Sequence, residues 1–138
     1  MLRISRRTDY SLRALIYLEK REGRVIKTDE MAVALDVPRD SFALALKNLS
    51  KNRLLRSFRG TDGGFTLGKR AAEITLLEIV EAVEGPIALN HCVHDAGSCS
   101  RSAECRVHSA WCSIQNKMRS IMDGITLEDM VNGNYDGE

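Results

Sequence analysis

Residues 28–52 read TDEMAVALDVPRDSFALALKNLSKN and residues 54–67 read LLRSFRGTDGGFTL. Thr28 is a favoured helix N-cap, Asp29 and Glu30 put acids in the first turn where the helix dipole favours them, and Met31 and Leu35 share an inner face one turn apart. Asp36-Val37-Pro38 breaks the chain. Pro38 suits the first position of a new helix, and Phe42, Leu46 and Leu49 hold helical spacing to about Asn52. Residues 54–59 and 65–67 then flank Gly60-Thr61-Asp62-Gly63-Gly64, two short strands around a reversal whose glycines tolerate positive φ, which predicts a β-hairpin. Helix, tight turn, helix and a hairpin bearing Arg56 and Arg59 form a winged helix-turn-helix. Its second motif helix would enter a DNA major groove while the wing touches backbone or minor groove.

On the N-terminal side a helix is expected from about Ser5 to Lys20, with Leu12, Leu15, Ile16 and Glu19 giving a stripe that turns polar at its end and Gly23 stopping it. On the C-terminal side Thr75 and Glu78 make a capping box, Ile74 and Ile79 a hydrophobic staple, and Leu76, Ile79, Val80 and Val83 a buried face that ends at Gly85-Pro86. Residues 86–101 lack sustained periodicity and read as a loop. A long helix follows from about Ser102 to Asp123, striped by Val107, Trp111, Ile114, Met118, Ile121 and Met122, and Thr126 caps a last short helix ending near Val131. The organisation is therefore a mainly α fold with a small β-hairpin: a DNA-binding winged helix over 1–85, a loop over 86–101, a dimerisation helix with a short final helix over 102–131, and a frayed tail over 132–138. A winged module of this size cannot cover so long an apolar stripe, so pairing with a second copy in a twofold homodimer completes it.

Composition narrows the function classes. At 138 residues, with 43% apolar and 28% charged residues, the chain suits one soluble domain; it is too apolar for a disordered chain and lacks the ~20-residue apolar run of a membrane span. No secretory signal is read at the N-terminus, so the cytoplasm is the expected compartment. The net charge of +1 hides a dipolar chain, because residues 1–70 carry 16 Lys/Arg against 8 Asp/Glu and residues 71–138 carry 4 against 11. A basic half of this kind is the footprint of a surface that neutralises phosphates. Double-stranded DNA is the expected partner and no membrane role is implied. Arg39, Asp40, Ser41 and Lys47 on the motif helix are the candidate contacts, with Arg56, Arg59, Arg6 and Arg7 on phosphates. An inward-turned Leu44 would leave Arg39 and Ser41 to read bases near the helix N-terminus. No nucleophile-base set or phosphate-cradling loop recommends an enzyme.

All four cysteines, Cys92, Cys99, Cys105 and Cys112, fall within 21 residues. A disulfide framework is disfavoured in a chain without a secretory signal, and intervals of six, five and six residues are not the paired knuckles of a zinc finger. Wider spacing across a loop suits a larger object, an iron-sulfur cluster held by thiolates. Cys105 is placed in the first turn of the long helix, whose dipole favours a thiolate. His108 and Cys112 follow it at helical spacing, so either could approach a fourth coordination position, and spacing does not choose between them. Cys112, beside Trp111, also reads as a small core hydrophobe, and His91 and His94 as surface residues of the loop.

The chain resembles, over essentially its whole length, the bacterial Rrf-type regulators that include IscR, NsrR and RirA. The resemblance rests on residues 8–15 (TDYSLRAL), the wing 59–67 (RGTDGGFTL), the helix 74–80 (ITLLEIV) and the three-cysteine loop closed by Ile125-Thr126-Leu127. It implies a dimeric winged-helix regulator of transcription, a repressor, whose operator binding is gated by an iron-sulfur cluster sensing nitric oxide, iron or redox status. Cys92, Cys99 and Cys105 match the family's ligand cysteines. Cys105-Arg106-Val107-His108 is similar to the arrangement that holds a 2Fe-2S cluster, whereas Asp9 falls where other members offer a carboxylate from the second subunit to a 4Fe-4S cluster, the reading favoured here. The motif helix departs from the family pattern at Ser41, Ala43 and Leu44, and Cys112 is not a usual ligand. The competing expectation is a cluster-free, thiol-based redox regulator.

Overall fold

A computed structural model describes residues 3–135. The first helix, α1 (Arg6–Glu19), is capped by the Ser5 hydroxyl, which accepts from the Thr8 amide at 3.3 Å. Its inner face is Thr8, Ser11, Ala14, Leu15 and Leu18. Leu12 and Ile16 pack only partly against the core. Small side chains occupy the inner face where α1 lies close against the third and fourth helices.

The motif pair is α2 (Thr28–Leu35) and α3 (Arg39–Lys51). Thr28 is the first helical residue, not the cap: Lys27 holds the cap position in extended conformation and makes no side-chain cap bond. The reason lies outside the helix. Ile26 is paired with Phe65, its amide donating to the Phe65 carbonyl at 3.0 Å and its carbonyl accepting from the Phe65 amide at 2.9 Å, and extended geometry continues through Lys27 before the helix begins at Thr28. Asp36 turns the motif in the left-handed region at φ 52°, and Pro38 occupies the N-cap position of α3, one residue before its expected place in the first turn, without a side-chain cap bond. Phe42, Ala45, Leu46 and Leu49 are buried beneath α3.

The hairpin pairs β1 (Leu55–Phe58) with β2 (Gly64–Leu67) antiparallel, Phe58 opposite Gly64 and Leu55 opposite Leu67. The fourth helix, α4 (Leu76–Glu84), starts with the expected capping box, in which the Thr75 hydroxyl accepts from the Glu78 amide and the Glu78 carboxylate from the Thr75 amide. Ile79 and Val80 are buried, while Leu76 and Val83 are half-buried. Residues 86–101 are more structured than a plain loop, with the short helix α5 (His91–His94) and a 3-10 turn (Ala96–Ser98). Asn90 caps the former through its side chain and Asp95 the latter, local hydrogen bonds that leave no hydrophobic periodicity.

The long helix, α6 (Arg106–Asp123), leads to α7 (Leu127–Asn132), which has its own capping box from Thr126 and Asp129. Residues 74–76 and 125–127 pair through the Leu76 amide to the Ile125 carbonyl and the Leu127 amide to the Ile74 carbonyl, both at 2.8 Å. That pairing buries Leu127 completely and returns α7 to α1, within the same core as the winged helix. No helix among the described residues is long and apolar enough to cross a membrane.

Candidate nucleic-acid interface and cysteine loop

The outward face of α3 follows from the period of the helix. With Phe42, Ala45, Leu46 and Leu49 inward, Asp40, Leu44, Lys47 and Lys51 fall along one exposed line, with Ser41 exposed and Asn48 half-buried beside it. Leu44 is therefore turned outward, 45% exposed, because a residue two places after the buried Phe42 and two before the buried Leu46 points away from both. Arg39 is exposed, but its Nε donates to Asp29 of α2 and its guanidinium also lies 4.0 Å from Asp40. It braces the motif turn as well as facing solvent.

On the wing Arg56, Phe58 and Arg59 are all exposed, and the Arg56 guanidinium stands 5.1 Å from the centroid of the Phe58 ring. Arg6 and Arg7 lie exposed in the first turn of α1. Cationic groups are thus available on α1, α3 and the wing.

The C-terminal half is built on α6, whose sequence stripe divides into two faces. Met118 and Met122 turn inward, lining an apolar cleft with Ile4, Val80, Ile87 and Leu89. Val107, Trp111, Ile114 and Ile121 remain exposed, Val107 by 62% and Ile121 by 66%. The segment entering the cysteine loop is clamped at two amides: Ile87 donates to Glu81 of α4 at 3.2 Å and Leu89 to Gln115 of α6 at 3.0 Å. Arg119 closes the clamp with an ion pair to Glu81. A further tie joins α4 to α1, where Glu84 accepts from the Thr8 hydroxyl at 2.5 Å and the Ser5 amide at 3.1 Å. Burial pushes the Glu84 carboxyl up, but the hydrogen bonds from Ser5 and Thr8 and the nearby Arg7 outweigh it and hold the group below its ordinary value.

Beyond the clamp, the cysteines sit on lightly covered backbone. Cys92 lies half-buried on α5, Cys99 exposed after the 3-10 turn, and Cys105 half-buried at the N-cap of α6, one position before the helix proper; all four thiols are free. Among the described residues no three His, Cys, Asp or Glu side chains are gathered as metal ligands would be. His108 is drawn to Cys112, its Nε2 3.4 Å from Sγ, so Cys112 is a half-buried partner of an imidazole. Asp9 occupies the first turn of α1 and accepts from Arg13 Nε at 3.1 Å. Glu81, Glu84 and Gln115 escaped the sequence reading; a polar residue recurring on the inner side of an amphipathic helix is the only local sign of such a role.

Comparison with known proteins places this arrangement in context. Residues 4–133 match the Rrf2 family model, described as an iron-dependent transcriptional regulator. A candidate HTH-type transcriptional regulator of Mycobacterium tuberculosis is 31% identical over 136 residues, covering 96% of this chain and 83% of the relative. Among solved structures, CymR, the global cysteine regulator of B. subtilis, superposes with a TM-score of 0.76 at 26% identity, over 98% of this chain and all of CymR. IscR of T. potens superposes at 0.72 with 22% identity, over 98% of this chain and 90% of IscR. With a helix-turn-helix, a wing and a family match running almost end to end, the chain belongs to the Rrf2 family of winged-helix transcriptional regulators.

Proposed function

We propose that this protein is a promoter-binding repressor that acts as a twofold homodimer joined through α6, and whose operator affinity is set by an iron-sulfur cluster on Cys92, Cys99 and Cys105. The observation that carries this reading is the trio of free thiols, exposed or half-buried, on a segment fixed at its base by Glu81 and Gln115 and ending at the N-cap of α6. Their chemistry fits the group. Soft thiolates without paired zinc-knuckle spacing suit inorganic iron and sulfide, and a helix N-terminus favours the anionic assembly. The fourth position is assigned to Asp9 of the second copy for a 4Fe-4S cluster, with His108 of the same chain as the 2Fe-2S alternative. When bound, the cluster supplies iron that reacts with nitric oxide or is lost when iron is scarce.

The chain's own part is mechanical. The position of Cys105 sets where α6 begins, Arg119 and Glu81 join α6 to α4, and α4 packs on α1 and α3. A displaced loop therefore bears on the orientation of α3, and in a dimer on the separation of two recognition helices that must match half-sites ~34 Å apart. Protein isolated without oxygen is expected to be brown, with iron and acid-labile sulfide, and Cys92→Ala, Cys99→Ala or Cys105→Ala to lose the visible absorption. A colourless, zinc-loaded preparation that binds its promoter undiminished overturns the reading. Asp9→Ala against His108→Ala, scored by cluster spectrum, decides the fourth ligand.

The 3.4 Å approach of Cys112 to His108, together with the likeness to CymR, favours one second reading, a cluster-free thiol regulator. In that case iron and sulfide are absent, and a disulfide-forming oxidant changes DNA binding in the wild type but not in Cys112→Ser.

A further inference from the structure

The exposed line of α3 holds one apolar side chain. Asp40, Lys47 and Lys51 are charged, Ser41 beside them is polar, and Leu44 stands at the centre, 45% exposed with no place in the core beneath. Leucine there adds nothing to the core of the helix-turn-helix, because the inner face is already filled by Phe42, Ala45, Leu46 and Leu49. It is also separate from the apolar face of α6 formed by Val107, Trp111, Ile114 and Ile121.

A major groove offers such a side chain one methyl group, at C5 of thymine; the functional groups that mark the other bases there, N7, O6, O4 and the amino groups, are hydrogen-bond donors or acceptors. An aliphatic side chain against a donor or acceptor leaves that group dehydrated and unpaired, so Leu44 discriminates against cytosine and purine edges at the same position. Half-buried Ala43, next in the chain, adds a second methyl surface. We propose that Leu44 is a specificity-determining residue that reads thymine methyl groups near the middle of each operator half-site, with Asp40 and Ser41 one turn earlier engaging the neighbouring base edges. The proposal rests on the winged-helix DNA-binding reading and not on the cluster.

The test is a methyl scan. Duplexes selected by the full chain from a random-sequence library supply the site, and each thymine of the half-site is then replaced by uracil, which removes the methyl group and nothing else. Wild type is expected to lose about fourfold in affinity at each contacted thymine, the worth of one buried methyl, while Leu44→Ala binds the thymine and uracil duplexes alike. Unchanged thermal melting and unchanged binding to non-specific duplex show that Leu44→Ala remains folded. Selective binding with a flat scan in the wild type, or the same uracil penalty in both proteins, overturns the role of Leu44 and leaves the DNA-binding reading standing. Failure to recover any selected duplex overturns both.

Discussion

Two residues on the inner face of α1 show how polar groups are accommodated between packed helices. Thr8 is fully buried, and its hydroxyl is satisfied by Glu84 at 2.5 Å. Thr8→Val keeps the shape and removes the donor, and is expected to cost about 1 kcal/mol in urea denaturation, since a hydrogen bond to a partly solvated carboxylate is worth no more than that. Because the Glu84 carboxyl titrates below its ordinary value of 4.5 in the folded protein, its contribution is present above that pH and disappears as the pH falls through the lowered value. Glu84→Gln should therefore flatten the loss of stability below pH 4.5, measured by thermal melting across an acid series; an unchanged profile would show that the tie does not titrate. Ser11 is the opposite case, a buried hydroxyl with no hydrogen-bond partner among the described residues. Ser11→Ala is expected to raise stability by up to about 1 kcal/mol, because alanine removes an unsatisfied polar atom and favours the helix.

The hairpin illustrates what an element owes to its surroundings. Its glycine-rich turn is visible in the sequence, but Gly64 also meets the backbone of Ile26 so closely that any Cβ would collide with the Ile26 carbonyl. Gly64→Ala is expected to loosen the wing from the 24–27 segment, costing about 2–4 kcal/mol in denaturation while leaving α1, α3 and α4 packed. The wing also carries Arg59, which is exposed and free to meet a phosphate. Arg59→Ala is expected to weaken binding to all duplexes alike and to reduce the slope of log affinity against log salt by about 1. A slope equal to wild type would remove the wing from the phosphate contacts. The motif helices follow the same lesson on a smaller scale. Their existence and spacing are plain from residues 28–52, yet the start of α2 shifted by one position because Ile26 is committed to Phe65, a pairing 39 residues distant.

At the scale of the whole molecule, the feature that asks for a partner is the outer face of α6. Four large apolar side chains at helical spacing stay exposed while the opposite face of the same helix is docked on α4 and α5. A stripe of this kind is what the proposed helix pair across a twofold axis would cover. Ile114→Glu places a charge in the middle of that stripe without touching the protomer's core. It is expected to weaken self-association about a hundredfold, measured by sedimentation, and to abolish binding to a two-half-site operator while each protomer still melts cooperatively. Dimerisation equal to wild type would direct attention to another surface.

The helical spacing, the glycine reversal, the capping box and the clustering of four cysteines were legible residue by residue, because each depends on local backbone geometry and near-neighbour side chains. So were the winged helix and its basic half. Four things became visible only once the chain was folded: the return of α7 to the core, the clamps by Glu81 and Gln115 beneath the cysteine loop, the tie between Thr8 and Glu84, and the outward turn of Leu44. Apart from the local bond between Glu81 and the Ile87 amide, three of these join residues from 26 to 76 positions apart, and no periodic pattern announces such a pairing. The fourth depends on which side of α3 the core fills, a question that an exposed leucine, apolar like its buried neighbours, leaves open until packing answers it.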